Sequence, residues 1–381
     1  MLARIKDRCY KSTHRTFKND KDETIRKTLT TNESLYGYCN HRVWRSILLE
    51  EMRQMLTERG IQTHYDSRFN GIFSDNNDGV EFLINEQARS ASLLAGADGI
   101  YSSIRRHLDS SISPEYTGVV GVFSHIKRVS VAWPYEDYER NATIQGKPGA
   151  LFFIPEDPKA KDIMIGMQTQ YPTLVREDLE KLQADKDKLV DMYRKSYDDW
   201  GPTARSIIHR VSENKESCYI WPFMRMPKLR RWYSDTGRVV LVGDGAHAVP
   251  PSSGQGVNQA LEDAYLLTML LVATIGKSTN SGGEVAPDVD GDDARTTDQT
   301  QARLLKALQY WQEVRQKRID AVFDWATNAT NVQRLPEAER KKLLAEKKGE
   351  NEKCGDGDDM RWLYHPKLEE EAKAWLANRG T

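Results

Sequence analysis

Residues Arg238–Ala264 read RVVLVGDGAHAVPPSSGQGVNQALEDA. The run from Val239 to Val242 is short, apolar and rich in β-branched residues, the pattern of a strand buried on both faces. Gly243 ends that run. Asp244 follows at its carboxyl end, where open α/β sheets place ligands. A compact loop from His247 to Ser253 is stiffened by Pro250 and Pro251, and Gly254-Gln255-Gly256 turns the chain tightly. From Val257 the apolar residues recur at helical spacing through Ala260, Leu261, Ala264, Leu266 and Leu267. The stretch therefore predicts a strand, an acidic residue, a rigid loop, a glycine turn and a helix N-terminus.

That order has a chemical meaning. A helix N-terminus presents unbonded N–H groups and a partial positive charge, so it stabilises an anion placed against it. Asp244 is an acceptor suited to polyol hydroxyls, and glycines at 254 and 256 let a flat ring approach the backbone. A polyol joined to a ring that becomes anionic on reduction meets all three conditions, and flavin is such a ligand. An ordinary strand–loop–helix unit is the plainer alternative. The agreement of spacing, chemistry and order over many positions favours the flavin. Gly243-Asp244, His247, Pro251, Gly254-Gln255-Gly256 and Asn258 resemble the second FAD-binding motif of flavoprotein monooxygenases of the aromatic-hydroxylase (salicylate-hydroxylase-like) type. The resemblance implies that Asp244 binds the ribityl chain. It also implies that Pro251, Gly254, Gly256, Val257 and Asn258 lie beside the flavin ring.

Two upstream stretches take the same resemblance further. Arg42 opens a helix whose apolar face is Val43, Ile47, Leu48, Met52 and Met55, stopped by Gly60. By itself Arg42 is an ordinary surface arginine; in the resembling family an arginine here, followed by Leu48, contacts FAD. Gly96-Ala97-Asp98-Gly99-Ile100-Tyr101-Ser102-Ser103-Ile104-Arg105 resembles the family's central Asp-Gly motif, in which Asp98 and Gly99 help hold FAD. An isolated Asp-Gly is usually only a turn. Here it precedes the second motif in the family's order.

The 381 residues suffice for about two domains. The net charge of −1 gives no electrostatic case for nucleic acid. Cys9, Cys39, Cys218 and Cys354 form no close pair, so neither a metal site nor a disulfide framework is expected, and free thiols suit a reducing, cytoplasmic setting. No run is long and apolar enough for a membrane span: Ala264 to Ile275 contains Tyr265 and two threonines.

Along the chain, Met1 to Leu35 is polar and weakly patterned, so an irregular or partly helical lead-in is expected. Strands are expected at Ile61 to Tyr65, at Ser90 to Ala95, and in a hairpin from Phe69 to Ile84 around Asn76-Asn77-Asp78-Gly79. Further strands are read at Val119 to Phe123, Ser130 to Trp133, Ala150 to Ile154 and Ile163 to Gln168, then a helix from Leu179 to Tyr197. Lys277 to Gln301, rich in Gly, Ser, Thr and Asp, reads as a disordered loop. Helices are expected from Leu304 to Ala326, where the sequence resembles the helix closing the family's flavin domain, and from Pro336 to Glu350. The expected fold is α/β: a Rossmann-like FAD-binding domain with an inserted α+β substrate domain. The expected boundaries are 1–112 and 231–330 for the FAD-binding parts, 113–230 for the substrate domain and 331–381 for a helical tail.

One departure stands out. The family normally begins with a βαβ unit carrying Gly-x-Gly-x-x-Gly, which seats the FAD pyrophosphate on a helix N-terminus. The sequence holds no such motif. The expectation is that the chain starts after that unit, its N-terminal βαβ missing. It is then either part of a longer protein or a weak FAD binder. The resemblance implies an FAD-dependent monooxygenase that uses NAD(P)H and O2 to oxygenate a small organic substrate, aromatic or polycyclic; no catalytic base is readable. The alternative is a truncated, non-catalytic or small-molecule-binding remnant. A flavin halogenase is disfavoured because neither Trp133-Pro134 nor Trp221-Pro222 fits the Trp-x-Trp-x-Ile-Pro pattern.

Overall fold

The computed structural model describes residues 1–31, 33–172, 176–275, 293–327, 335–347 and 360–378. In chain order the elements begin with α1 (Leu2–Ile5), β1 (Tyr10–Ser12), β2 (His14–Asn19), β3 (Thr24–Leu29), α2 (Glu33–Tyr36), β4 (Asn40–Arg42) and α3 (Arg45–Glu58). Then come β5 (Phe69–Asn76), β6 (Gly79–Ile84), β7 (Gln87–Ala91), β8 (Leu94–Gly96) and α4 (Ser103–Leu108). The middle holds β9 (Glu115–Lys127), β10 (Ala142–Gly146), β11 (Gly149–Pro155), β12 (Asp162–Gln170), α5 (Arg176–Ala184), α6 (Lys186–Arg194) and α7 (Pro202–Glu213). The last part holds β13 (Tyr219–Arg225), β14 (Val239–Leu241), α8 (Asp244–His247), α9 (Gly256–Ile275), α10 (Asp293–Trp325), α11 (Glu337–Lys347), α12 (Arg361–Tyr364) and α13 (Leu368–Ala377).

The first unit gathers residues 1–64, 116–223 and 327–366. Its frame is a seven-stranded sheet in the order β13-β9-β12-β11-β10-β2-β3. Strand alternation sends Val120, Val122 and Ile126 of β9 and Ile163 and Ile165 of β12 into one core. Leu189 and Val190 of α6 and Ile207, Ile208 and Val211 of α7 complete it. Each such side chain contributes about 1.5–3 kcal/mol on burial. Tyr193 reaches in from α6 and donates its hydroxyl to the Val122 carbonyl at 2.8 Å. Helix α7 starts tightly against the loop after β2: a Cβ on Gly201 would lie 1.8 Å from the Asp20 carbonyl oxygen. Elsewhere in the sheet the Phe123 and Phe152 rings fill the space above Gly121 and Gly166.

The second unit comprises residues 65–115, 224–326 and 367–381. The three strands β5, β6 and β7 form an antiparallel meander, while β8 and β14 pair in parallel. The parallel pair extends one step further, where the Val242 amide donates to the Gly96 carbonyl at 2.9 Å. Helix α9 packs beside α10, which buries Leu304, Leu308, Trp311, Arg315, Ile319 and Val322 along one stripe. This is the α/β, Rossmann-like arrangement expected for strand–loop–helix units.

Several local expectations are corrected. The lead-in is partly helical at α1, but it also carries unexpected strands: β2 pairs in parallel with β10 and antiparallel with β3 inside the large sheet. Its polar sequence hid it, because Lys18 is buried and satisfied by Tyr135 Oη at 2.8 Å, the Asp22 carbonyl at 3.2 Å and Glu139 at 2.8 Å. No strand forms over 61–65, and the expected strand over 130–133 is a short 3-10 turn, Arg128–Ser130, with extended residues after it. The single helix expected at 179–197 is two, because Asp185 caps α6 by accepting from the Lys188 amide at 3.0 Å. Ser90–Ala95 divides between β7 and β8. Of the loop expected at 277–301, residues 277–292 lie outside the described residues, whereas 293–301 belong to α10. Residues 1–64 group with 116–223 rather than with 65–115, and the 331–381 tail is divided at 366/367 between the units.

Candidate cofactor site

The site is built where β8 and β14 end. Because the two strands are parallel, Asp98 and Asp244 both follow carboxyl ends of the same pair. Asp98 caps α4: its Oδ2 accepts from the Ser103 amide at 2.7 Å and the Ile104 amide at 3.3 Å. Ser102 adds a second cap, its Oγ accepting from the Arg105 amide at 2.9 Å. Arg105 is buried, and its Nη1 donates to the Ile100 carbonyl at 2.7 Å and the Gly245 carbonyl at 3.1 Å. This one guanidinium therefore ties the Asp-Gly turn to the turn after β14. Gly245 has no room for a side chain, since a Cβ would lie 2.8 Å from Leu241 Cδ1.

Gly243 has φ 63°, a left-handed value that favours glycine, and it starts α8. Asp244 comes next. It is exposed, and its carboxylate has no hydrogen bond or ion pair among the described residues. The loop then makes a 3-10 turn at Pro251–Ser253, closed by Ser253 Oγ donating to the Pro250 carbonyl at 2.8 Å and accepting from the Gln255 amide at 3.1 Å. Gly254 is left-handed at φ 64°, with open space where a Cβ would point. Gly256 starts α9, and the amides of Gly256, Val257 and Asn258 have no acceptor among the described residues. Val257 is half exposed, and Asn258 Nδ2 donates to Gln255 Oε1 at 3.3 Å.

A buried charge network lies under this turn. Asp263 of α9 accepts from the Gly243 amide at 2.9 Å and contacts His247 Nε2 at 2.6 Å, both at Oδ2. Its Oδ1 accepts from Arg315 Nε of α10 at 2.8 Å. Burial favours the neutral acid, yet the bonds from His247 and Arg315 outweigh it and hold Asp263 below the ordinary aspartate range. Trp232 packs on His247, with ring centroids 4.8 Å apart, and meets Trp311 edge-on at 5.4 Å.

The eight second-unit residues expected at the site, Asp98, Gly99, Asp244, Pro251, Gly254, Gly256, Val257 and Asn258, are brought to the ends of β8 and β14 and the start of α9. Arg42 lies in the first unit, on β4, with its guanidinium paired to Glu156. Burial pushes the Glu156 carboxyl up, but His125 and Arg42 outweigh it and hold it below the usual range. Arg105, Asp263 and Arg315 were not singled out from the sequence as site residues. One signal was available: Arg315 follows Leu308 and Trp311 at helical spacing, so a charge sits on an apolar stripe.

The donor set fits the ribityl and ring end of a flavin: an unpartnered carboxylate for hydroxyls, an open glycine turn for a ring, and unbonded helix amides for a developing anion. Residues 4–283 match the FAD binding domain family. The chain belongs to that family. Curated relatives include hispidin-3-hydroxylase of Neonothopanus nambi, 30% identical over 49% of this chain and 46% of the relative. Kynurenine 3-monooxygenase of Salinispora tropica is 26% identical over 64% of this chain and 54% of the relative. The chain thus spans about half the length of these curated relatives. Among solved structures, CtdE in complex with FAD and a substrate superposes with TM-score 0.70 at 17% identity, covering 98% of this chain and 83% of CtdE, which establishes a shared fold. Among the described residues no helix is long and apolar enough to cross a membrane, and no cluster of His, Cys, Asp or Glu is suited to a metal.

Proposed function

We propose that this protein is an FAD-dependent monooxygenase that uses NAD(P)H and O2 to oxygenate a small aromatic or polycyclic molecule. The observation that carries the reading is the Asp244 carboxylate, exposed and unpartnered beside the glycine turn and unbonded α9 amides in a chain of the FAD binding domain family. The hydroxylase and monooxygenase names of its relatives support the reaction class.

In this reading Asp244 accepts hydrogen bonds from the ribityl hydroxyls. The Gly256 and Val257 amides face the pyrimidine edge, where negative charge is stabilised by the helix N-terminus. Gly254 and Gly99 leave the backbone open to close approach, Pro251 holds the loop, and Asn258 braces the turn through Gln255. Asp98 orders α4 next to the same strand ends. Bound FAD would supply hydride acceptance and oxygen activation. The chain's own share is orientation and electrostatics.

The test is reconstitution. The purified chain is titrated with FAD by flavin fluorescence, and NAD(P)H oxidation is followed with and without aromatic substrates. Saturable binding with substrate-stimulated oxidation is expected. A chain that takes up no flavin at any concentration sinks the reading and leaves a non-catalytic binder of the same fold.

A further inference from the structure

Beneath the Gly243–His247 turn, charge is buried to a degree that packing alone does not require. The Arg315 and Asp263 side chains are both fully buried, 0% exposed. Beyond its bond to Asp263, Arg315 donates from Nη2 to Gln259 Oε1 at 2.7 Å and the Gln259 carbonyl at 3.1 Å. Its Nη1 donates to Glu262 Oε2 at 2.5 Å, and Arg318 pairs with the same glutamate. Two acids and two arginines are thus balanced and hydrogen-bonded. A buried pair of this kind is weak evidence for stability, because apolar residues of similar volume often do as well. Its directionality is another matter. Asp263 Oδ2 meets the Gly243 amide on one side of Asp244 and the His247 ring on the other.

We propose that Asp263 and Arg315 are positioning residues for the flavin loop. Arg315 fixes the Asp263 carboxylate from α10. Asp263 then fixes both ends of the five-residue turn, Gly243 to His247, that carries Asp244, setting where its carboxylate points. This rests on the flavin reading above and assigns its pre-organisation to two residues outside the contact set.

The experiment compares FAD affinity, thermal melting and hydrogen exchange of the 239–249 segment in the full chain. Asp263→Asn keeps the size of the side chain but removes the carboxylate that accepts from Gly243 and His247. Arg315→Met removes the clamp, and Arg315→Lys keeps its charge. Trp311→Phe is the control, because the indole donates only to the Asp263 backbone carbonyl, at 3.1 Å. The expected result is FAD binding weakened about tenfold or more in Asp263→Asn and Arg315→Met, the scale of one charged hydrogen bond. Exchange in 239–249 should accelerate in both, and Arg315→Lys should recover part of the affinity. Trp311→Phe should melt earlier yet bind FAD as the parent does. Parent-like affinity in Asp263→Asn overturns the inference. So does an equal loss of affinity in Trp311→Phe, which would make the network mere core. A parent chain that binds no FAD overturns the flavin reading instead, and the inference falls with it.

Discussion

Asp244 and Asp263 sit nineteen positions apart on either side of one loop and are opposites: one carboxylate exposed and unpartnered, the other buried and fully bonded. Asp244→Ala should therefore leave the melting temperature unchanged. FAD affinity should fall by roughly ten- to a hundred-fold, the equivalent of about 1.5–3 kcal/mol in charged hydrogen bonds; fluorescence titration checks both halves against the parent. Asp263 gives a pH prediction with a definite sign. Its folded pKa is held below the unfolded value of about 3.9, so its contribution is present above that value and is lost as acid passes the lower folded value. Melting temperature should fall more steeply below about pH 4 in the parent than in Asp263→Asn, whose amide does not titrate. The place of Asp244, just after β14 and before the glycine turn, was legible from sequence because it depends on neighbours in sequence. Asp263 and Arg315 were not, because what defines them is a meeting of positions 52 residues apart.

At the scale of elements, legibility followed periodicity. The β5–β6 hairpin, β11, β12 and the run Val239–Val242 into α9 were readable because apolar residues kept the period of their structure. Strands β2 and β3 were not, because β2 buries Thr16 and Lys18 and β3 is largely exposed, so neither shows a hydrophobic face. The break between α5 and α6 was missed because a single cap, Asp185, decides it. Element junctions also carry the tightest steric demand. Gly201→Ala should destabilise the first unit by about 1–3 kcal/mol, as overpacking does, because the new Cβ meets the Asp20 backbone and not a side chain that can move aside. Chemical denaturation reads this directly. An unchanged midpoint would mean that the loop after β2 yields freely.

For the whole molecule, the C-terminal helix is the simplest lever. In α13, Leu368 and Ala372 are buried, Glu369 accepts from Tyr265 Oη at 2.8 Å, and Glu371 accepts from Tyr310 Oη at 2.7 Å. A chain ending at Pro366 should lose at least the burial of Leu368, about 1.5–3 kcal/mol, from the second unit alone. Calorimetry should show only that unit's transition move to lower temperature. The two units were the hardest feature to foresee, since the chain passes between them at 64/65, 115/116, 223/224, 326/327 and 366/367 and no composition change marks the first crossing. That interleaving bears on biosynthesis. Neither unit is a contiguous stretch, so neither is finished while the nascent chain is still being extended through its middle. The first waits for residues up to 366, and the second for α13. Domain-by-domain folding from the N-terminus, the usual course for larger proteins, is closed to this chain. All strands among the described residues are complete by residue 241, so what each unit waits for is the packing of its last helices.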